Sequence, residues 1–255
     1  MIALLGNLSR DLRPGRPPQP GGGPYHGARA LRRLGLPARI IARCAPEDRA
    51  ALFTPVVRLG TTAQFVPGKS TASFEFSYDG DHREMRVAAV GDVWQPHDVP
   101  PLPDAVHWVH VAPLLRSDFP AATLAALARR RRTAFDGQGL VRAARVGALE
   151  LDADYDPEVL RHVWALKLSD EEAEVLGDPA ALPVREVVVT HGSRGATVYA
   201  HGQVEHVPAH PLARDPTGAG DAFCVSYVAA RDAGFPPASA ARRAVAVVSS
   251  LLAAR

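Results

Sequence analysis

The stretch "DPTGAGDAF", residues 215–223, sets Gly218, Ala219 and Gly220 between two aspartates and runs straight into the apolar segment "CVSYVAA", 224–230. A tight glycine turn that opens a helix leaves its first backbone N–H groups without intrahelical partners, and the helix dipole adds partial positive charge there. Such a turn can cradle an anion. Asp221 falls in the first turn of that helix, where a carboxylate is costly to bury unless it is paired or used. It reads either as an acid that stabilises a helix start or as a general base beside an anion nest, the layout that phosphoryl transfer to a hydroxyl requires. The short motif alone leaves both readings open.

Ahead of this turn, short apolar runs alternate with helical-period segments: "IALLG" then "GARALRRLG", "ARIIARC" then "PEDRAALF", "AVHWVHVA" then "FPAATLAALARR", and "VWALKL" then "SDEEAEVLG", with "TAFD" and "EVVVT" as further strands. The repetition predicts an α/β fold, a doubly wound, mainly parallel sheet with helices on both faces. One region breaks the rhythm. Within residues 62–90, "TTAQFV", "STASFEFSYDG" and "EMRVAAVG" alternate like half-exposed antiparallel strands, with Asp79 and Gly80 at a turn. This predicts a small antiparallel lid sheet on a single domain spanning 1–255. Further on, "ATVYA" and "QVEHV" flank His201 and Gly202, a hairpin signal. The Pro/Gly-rich "LRPGRPPQPGGGP", 12–24, reads as a substrate loop between the first strand and the first helix.

With 255 residues, 47% of them hydrophobic, the chain can bury a substantial core. A net charge of +2 with scattered arginines argues against a nucleic-acid partner, and the run Arg129 to Arg132 reads as a charged helix end. The two cysteines, Cys44 and Cys224, sit in apolar segments without metal-type spacing, which suits a reduced compartment. "MIALLG" is short and lacks a basic leader, and no segment approaches membrane-spanning length. A cytoplasmic location without a membrane partner is the expectation. Two phosphate-loop fingerprints fail. "AQFVPGKST", 63–71, has Ala63 where the first glycine belongs and is followed by a strand pattern, and "GAGDAF" has Phe223 at the last glycine of a dinucleotide loop.

"DPTGAGDAF" closely resembles the C-terminal signature of the ribokinase-like (PfkB) carbohydrate kinases, and further matches follow that family's order along the chain. "GNLSRDL", 6–12, resembles its first strand and substrate acid; "GGGPYHGARALRRLG", 21–35, its paired-glycine substrate signature; "KLSDEEAEVLG" its Asn-x-x-Glu segment; and "THGSRG", 190–195, its nucleotide-contacting turn. The resemblance implies an ATP- and Mg²⁺-dependent kinase acting on a hydroxyl of a small sugar or polyol, with inositol or a nucleoside as alternatives. It implies Asp221 as the base and the N–H groups of Gly218, Ala219 and Gly220 as the phosphoryl cradle. Asp11, Gly22, Gly23 and His26 would face the acceptor. Thr190, Gly192 and Gly195 would border the nucleotide, and Asp215 and Thr217 would shape the loop at phosphate or at a monovalent cation. A homodimer through the lid is a further expectation.

The chain departs from the family pattern in places. His26 stands where asparagine is usual, which alters hydroxyl recognition, and Ser169 replaces the asparagine of the Asn-x-x-Glu segment. Ser169 and Glu172 satisfy a capping box, the preferred reading, while Glu172 is also the candidate to hold magnesium through water. Ala112 sits where many sugar-binding members carry an acid, and the sequence ends at "AVAVVSSLLAAR", earlier than most relatives. Lid residues Lys69, Arg83 and Arg86 are candidates for a second phosphate on the acceptor. A non-catalytic polyol sensor that retains the fold is the competing reading.

Overall fold

The computed structural model describes residues 1–79, 82–209 and 217–253. In chain order the strands are β1 (Ile2–Asn7), β2 (Ser9–Leu12), β3 (Gln19–Gly21), β4 (Ala38–Cys44), β5 (Thr62–Pro67), β6 (Ala72–Asp79), β7 (His82–Ala89), β8 (Trp108–Ala112), β9 (Arg132–Asp136), β10 (Gly147–Ala148), β11 (Ala165–Ser169), β12 (Glu186–Thr190), β13 (Ala196–Ala200) and β14 (Gln203–Val207). The α-helices are α1 (Gly23–Leu34), α2 (Thr54–Arg58), α3 (Ala121–Ala128), α4 (Gln138–Val141), α5 (Asp170–Leu176), α6 (Ala219–Asp232) and α7 (Pro237–Ala253).

Nine strands form one sheet in the order β14-β13-β12-β11-β9-β8-β1-β4-β5. From β12 to β5 all neighbours are parallel, and β13 and β14 add an antiparallel hairpin edge. Successive residues of the central strands enter opposite cores, because side chains alternate across a strand. Leu4 and Ile40 pack with α1 and α6, whereas Leu5 and Ile41 pack with Leu124 of α3. Helices therefore cover both faces, as the alternating pattern predicts, and the hairpin turns at His201 and Gly202 with φ of 55° and 72°.

A second sheet runs β10-β7-β6-β2-β3. Its core strands β6 and β7 are the antiparallel pair expected from the sequence, although the turn at Gly80 lies outside the described residues. Four expectations change. Thr62–Pro67 is not part of the lid: as β5 it pairs parallel with β4 at the margin of the main sheet. A margin strand is half exposed, and that mimics lid alternation; Phe65 faces Phe53 at 5.4 Å between ring centroids while Val66 enters the opposite core. Conversely, "GNLSRDL" is not one strand. The chain leaves the main sheet at Asn7, crosses at Leu8, whose N–H donates to the Arg43 carbonyl at 2.8 Å, and enters the lid as β2. The supposed loop 12–24 returns as β3 alongside it. The arginine run also divides, since α3 stops at Ala128 and Arg132 opens β9 with its guanidinium 4.7 Å from the Trp164 ring centre.

At the opposite end of the strands from the lid, Glu186 is 1% exposed and accepts from Tyr227 Oη (2.6 Å), Arg231 Nε (3.0 Å) and Nη2 (2.6 Å), and Trp164 Nε1 (3.1 Å). Removing one partner of a buried ion pair strands the other charge. Glu186→Ala is therefore expected to cost roughly 3–5 kcal/mol in urea denaturation; a loss under about 1 kcal/mol, the scale of an exposed pair, would contradict that reading. Cys44 and Cys224 are both buried and unbridged. Among the described residues no helix is long and apolar enough to cross a membrane.

Candidate active site

An open cleft of about 1390 Å³ lies between the lid sheet and the carboxyl ends of β9, β11 and β12, where open α/β sheets place their ligands. Its floor is the start of α6. Gly218 caps that helix in the left-handed region, φ 78°, and a Cβ there would fall 2.3 Å from His26 Nδ1. Only glycine fits this turn. Gly218, Ala219, Gly220 and Asp221 all line the cleft, together with Asp11, Gly22 and His26 from the acceptor signature and Thr190, Gly192, Gly195 and Thr217 from the expected nucleotide side.

Asp221 is the acid of the first turn of α6, half-buried at the cleft floor. Burial and the neighbouring Asp136 charge push its carboxyl up to about 7, against the opposing pull of His110, Lys167 and Arg142. The paired glycines of α1 let the chain approach it. A Cβ at Gly23 would meet Ala112 Cβ at 2.2 Å and Asp221 Oδ1 at 3.1 Å, and Gly22, φ 89°, would put one 2.4 Å from the Asn7 carbonyl. Asp11, 7% exposed, accepts from Ser9 Oγ at 2.9 Å. His26 is buried against the Gly218 turn, so α1 and the start of α6 meet there.

On the other side, Thr190 Oγ1 donates to the Leu168 carbonyl at 3.0 Å. Gly195, φ 108°, would drive a Cβ to 2.0 Å from the Val207 carbonyl, so this turn also needs glycine. The turn is braced by Asp170, which accepts from Arg194 Nη2 at 2.7 Å and meets His191 Nδ1 at 2.5 Å. Ser169 and Glu172 form the capping box: Glu172 Oε2 accepts from Ser169 N at 2.8 Å, and Ser169 Oγ from Glu172 N at 3.2 Å. Thr217 Oγ1 accepts from Arg13 Nη2 at 3.3 Å. Asp215 lies outside the described residues. Of the lid cations, Arg86 lines the cleft and pairs with Glu75 at 3.3 Å; Lys69 is exposed and is not in the cleft wall.

Sequence reading missed a buried charge cluster behind Asp221. His110 Nε2 and Asp136 Oδ2 are 2.8 Å apart, and Lys167 Nζ lies 3.8 Å from both Asp136 Oδ1 and Glu172 Oε2. Burial raises the Asp136 carboxyl, but the charge and hydrogen bond of His110, helped by Lys167 and Arg142, carry it below the ordinary value. The signal was present: "WVHVA" and "ALKLS" each put a polar or charged side chain inside an otherwise apolar parallel strand.

The two sheets, with the glycine turn of α6 at the cleft between them, make a ribokinase-like fold. Residues 94–253 match the pfkB family carbohydrate kinases. Over 266 aligned residues the chain is 30% identical to the fructokinase of Klebsiella pneumoniae, covering 89% of this chain and 83% of that protein. It is 33% identical over 153 residues to the inositol 3-kinase of Zea mays, covering 58% of this chain and 40% of that protein. A solved sulfate complex of a pyrophosphate-dependent kinase in the ribokinase family superposes with a TM-score of 0.85 at 25% identity, covering 99% of this chain and 95% of that one. The chain belongs to the pfkB family and is a carbohydrate kinase.

Proposed function

We propose that the chain transfers a phosphoryl group to a hydroxyl of a small sugar or cyclic polyol. Asp221 removes the hydroxyl proton, and the N–H groups of Gly218, Ala219 and Gly220 hold the oxygens of the group in flight. The observation that carries this reading is the position of Asp221, one residue past the cradle and facing the same cleft as Asp11. Positioning and charge neutralisation supply most of the rate in such a transfer. Asp11, Gly22, Gly23 and His26 bind the acceptor, and Thr190, Gly192, Gly195, Asp215 and Thr217 border the donor and a monovalent cation.

The donor in this reading is ATP with Mg²⁺. One oxygen of Glu172 is taken by the cap, and the carboxylate still lies in the cleft wall beside Asp170 and Glu171, an oxygen-rich edge that suits a hard cation kept partly hydrated. Glu172 would hold magnesium through water, and the ion would neutralise donor phosphate charge. Pyrophosphate is a second donor reading, favoured by the likeness to a pyrophosphate-dependent kinase over nearly the whole chain. A second copy adding through the lid sheet belongs to the proposal, and light scattering would test it.

The test is a kinetic grid of ATP and pyrophosphate against fructose, ribose, myo-inositol and a nucleoside. Turnover that requires one acceptor supports the reading. Binding of a polyol without donor binding by calorimetry would turn it to a non-catalytic sensor.

Because Asp221 acts deprotonated and its carboxyl is raised to about 7, kcat/KM is expected to rise with pH through about 7. One pH unit below that midpoint roughly a tenth of the plateau should remain. A profile flat from pH 5.5 to 8 would contradict it. Stability runs the other way: the folded carboxyl holds its proton more tightly than the ordinary 3.8, so its contribution is full below that value and lost as pH rises through about 7.

A further inference from the structure

We propose that Lys167 is a catalytic residue, its ammonium meeting the transferring phosphoryl group beside Gly220; this rests on the phosphoryl-transfer reading of the cleft. The chain holds 29 basic residues, Lys plus Arg, and only Lys69 and Lys167 are lysines. In a sequence that otherwise uses arginine, a lysine in a buried central strand stands out. Lys167 lies on β11 between Leu166 and Leu168, both fully buried, and its side chain is 12% exposed. Burying an ammonium there is costly unless it is paired or used.

Its pairing neutralises the charge without occupying the donors. Asp136 and Glu172 stand at 3.8 Å, beyond hydrogen-bond reach, and each has a nearer partner: Asp136 has His110 at 2.8 Å, Glu172 the Ser169 N–H at 2.8 Å. Among the described residues no hydrogen bond engages the ammonium. Two carboxylates at 3.8 Å offset the ammonium's charge in the buried strand. The ammonium abuts the cradle: a Cβ on Gly220 would lie 3.1 Å from Nζ, so a side chain at 220 would press on it. Lys167 and Gly218, Ala219 and Gly220 line one cleft.

In the transfer, the donor's terminal P–O bond breaks and the leaving oxygen keeps the electron pair. The acceptor oxygen bonds phosphorus, and its proton passes to Asp221. Lys167 neither gains nor loses a proton; it offsets the negative charge spread over the equatorial oxygens, where a desolvated fixed charge acts most strongly. Lysine binds phosphate as a compact point charge.

Lys167→Met is expected to lower kcat about 10²- to 10³-fold, with the acceptor KM within about threefold of wild type. A folded variant with kcat within threefold of wild type overturns the assignment. If the lone substitution prevents folding, Lys167→Met with Asp136→Asn removes both charges, and the same fold-changes apply. Wild-type protein gives a readout independent of any variant. With [¹⁵N]lysine labelling the two ammonium signals are separable, and saturating pyrophosphate or an ATP analogue should shift that of Lys167 and leave that of Lys69. An unmoved Lys167 signal at saturation overturns the assignment. Absence of donor binding and turnover in wild type would instead overturn the underlying function.

Discussion

Replacing Asp221 by asparagine is expected to lower kcat by about 10²- to 10⁴-fold, the range a positioned general base contributes. The substitution keeps the shape at the first turn of α6 and removes only the capacity to take a proton. Its effect on binding should be small, because in the proposed function the donor sits on backbone N–H groups and the acceptor on Asp11 and the glycines at the start of α1. The raised carboxyl means that asparagine also relieves a buried charge, so the variant should be at least as stable as wild type above pH 7. Kinetics together with thermal melting separate these effects. A variant that retains wild-type kcat would remove Asp221 from the chemistry, and one that loses activity by unfolding would point to a helix-start role.

Gly218→Val should be nearly as damaging by a different route. Position 218 sits at φ 78°, and an added Cβ collides with His26 at 2.3 Å, so the turn cannot accept a β-branched residue without moving. A displacement of about 1 Å in groups that position reactants can cost 10²-fold in rate. A fall in kcat/KM of at least about 10²-fold is therefore expected, with a stability loss of roughly 1–3 kcal/mol. Gly35→Ala supplies the control. That glycine also has positive φ, 63°, but ends α1 with nothing within 4 Å of the added methyl. It should lose about 1 kcal/mol and keep full activity. Equal activity losses in the two variants would mean that general backbone strain, not the cradle, explains the effect.

Much of this architecture is legible in the sequence, and the failures have physical causes. The parallel strands announce themselves because burial on both faces demands continuous apolar runs, as in β1 and in Val187–Val189 of β12. The hairpin at His201 and Gly202 follows from local turn chemistry. β5 reads as a lid strand because alternation reports half-exposure, which a margin strand of the main sheet and a lid strand share. The break at Leu8 was invisible for a related reason: "GNLSRDL" carries strand-like residues throughout, and only the backbone bond from Leu8 to Arg43 shows where the chain changes sheets.

For the site, glycines and acids at characteristic spacing were readable, since a left-handed turn or a close backbone approach demands glycine. What was not readable is what surrounds them. His110, Asp136 and Lys167 come from three different strands, β8, β9 and β11, and their convergence behind Asp221 depends on strand order, which no local pattern encodes. The place of His26 in the signature points to the acceptor; its packing against Gly218 is a contact between α1 and the start of α6.

The most direct measurement is ³¹P NMR of the purified protein with donor, Mg²⁺ and the preferred polyol. One new phosphomonoester resonance, coupled to a carbinol proton, is expected to grow as the donor signal falls. Release of free orthophosphate with no ester, or no donor consumption with any polyol, would contradict it.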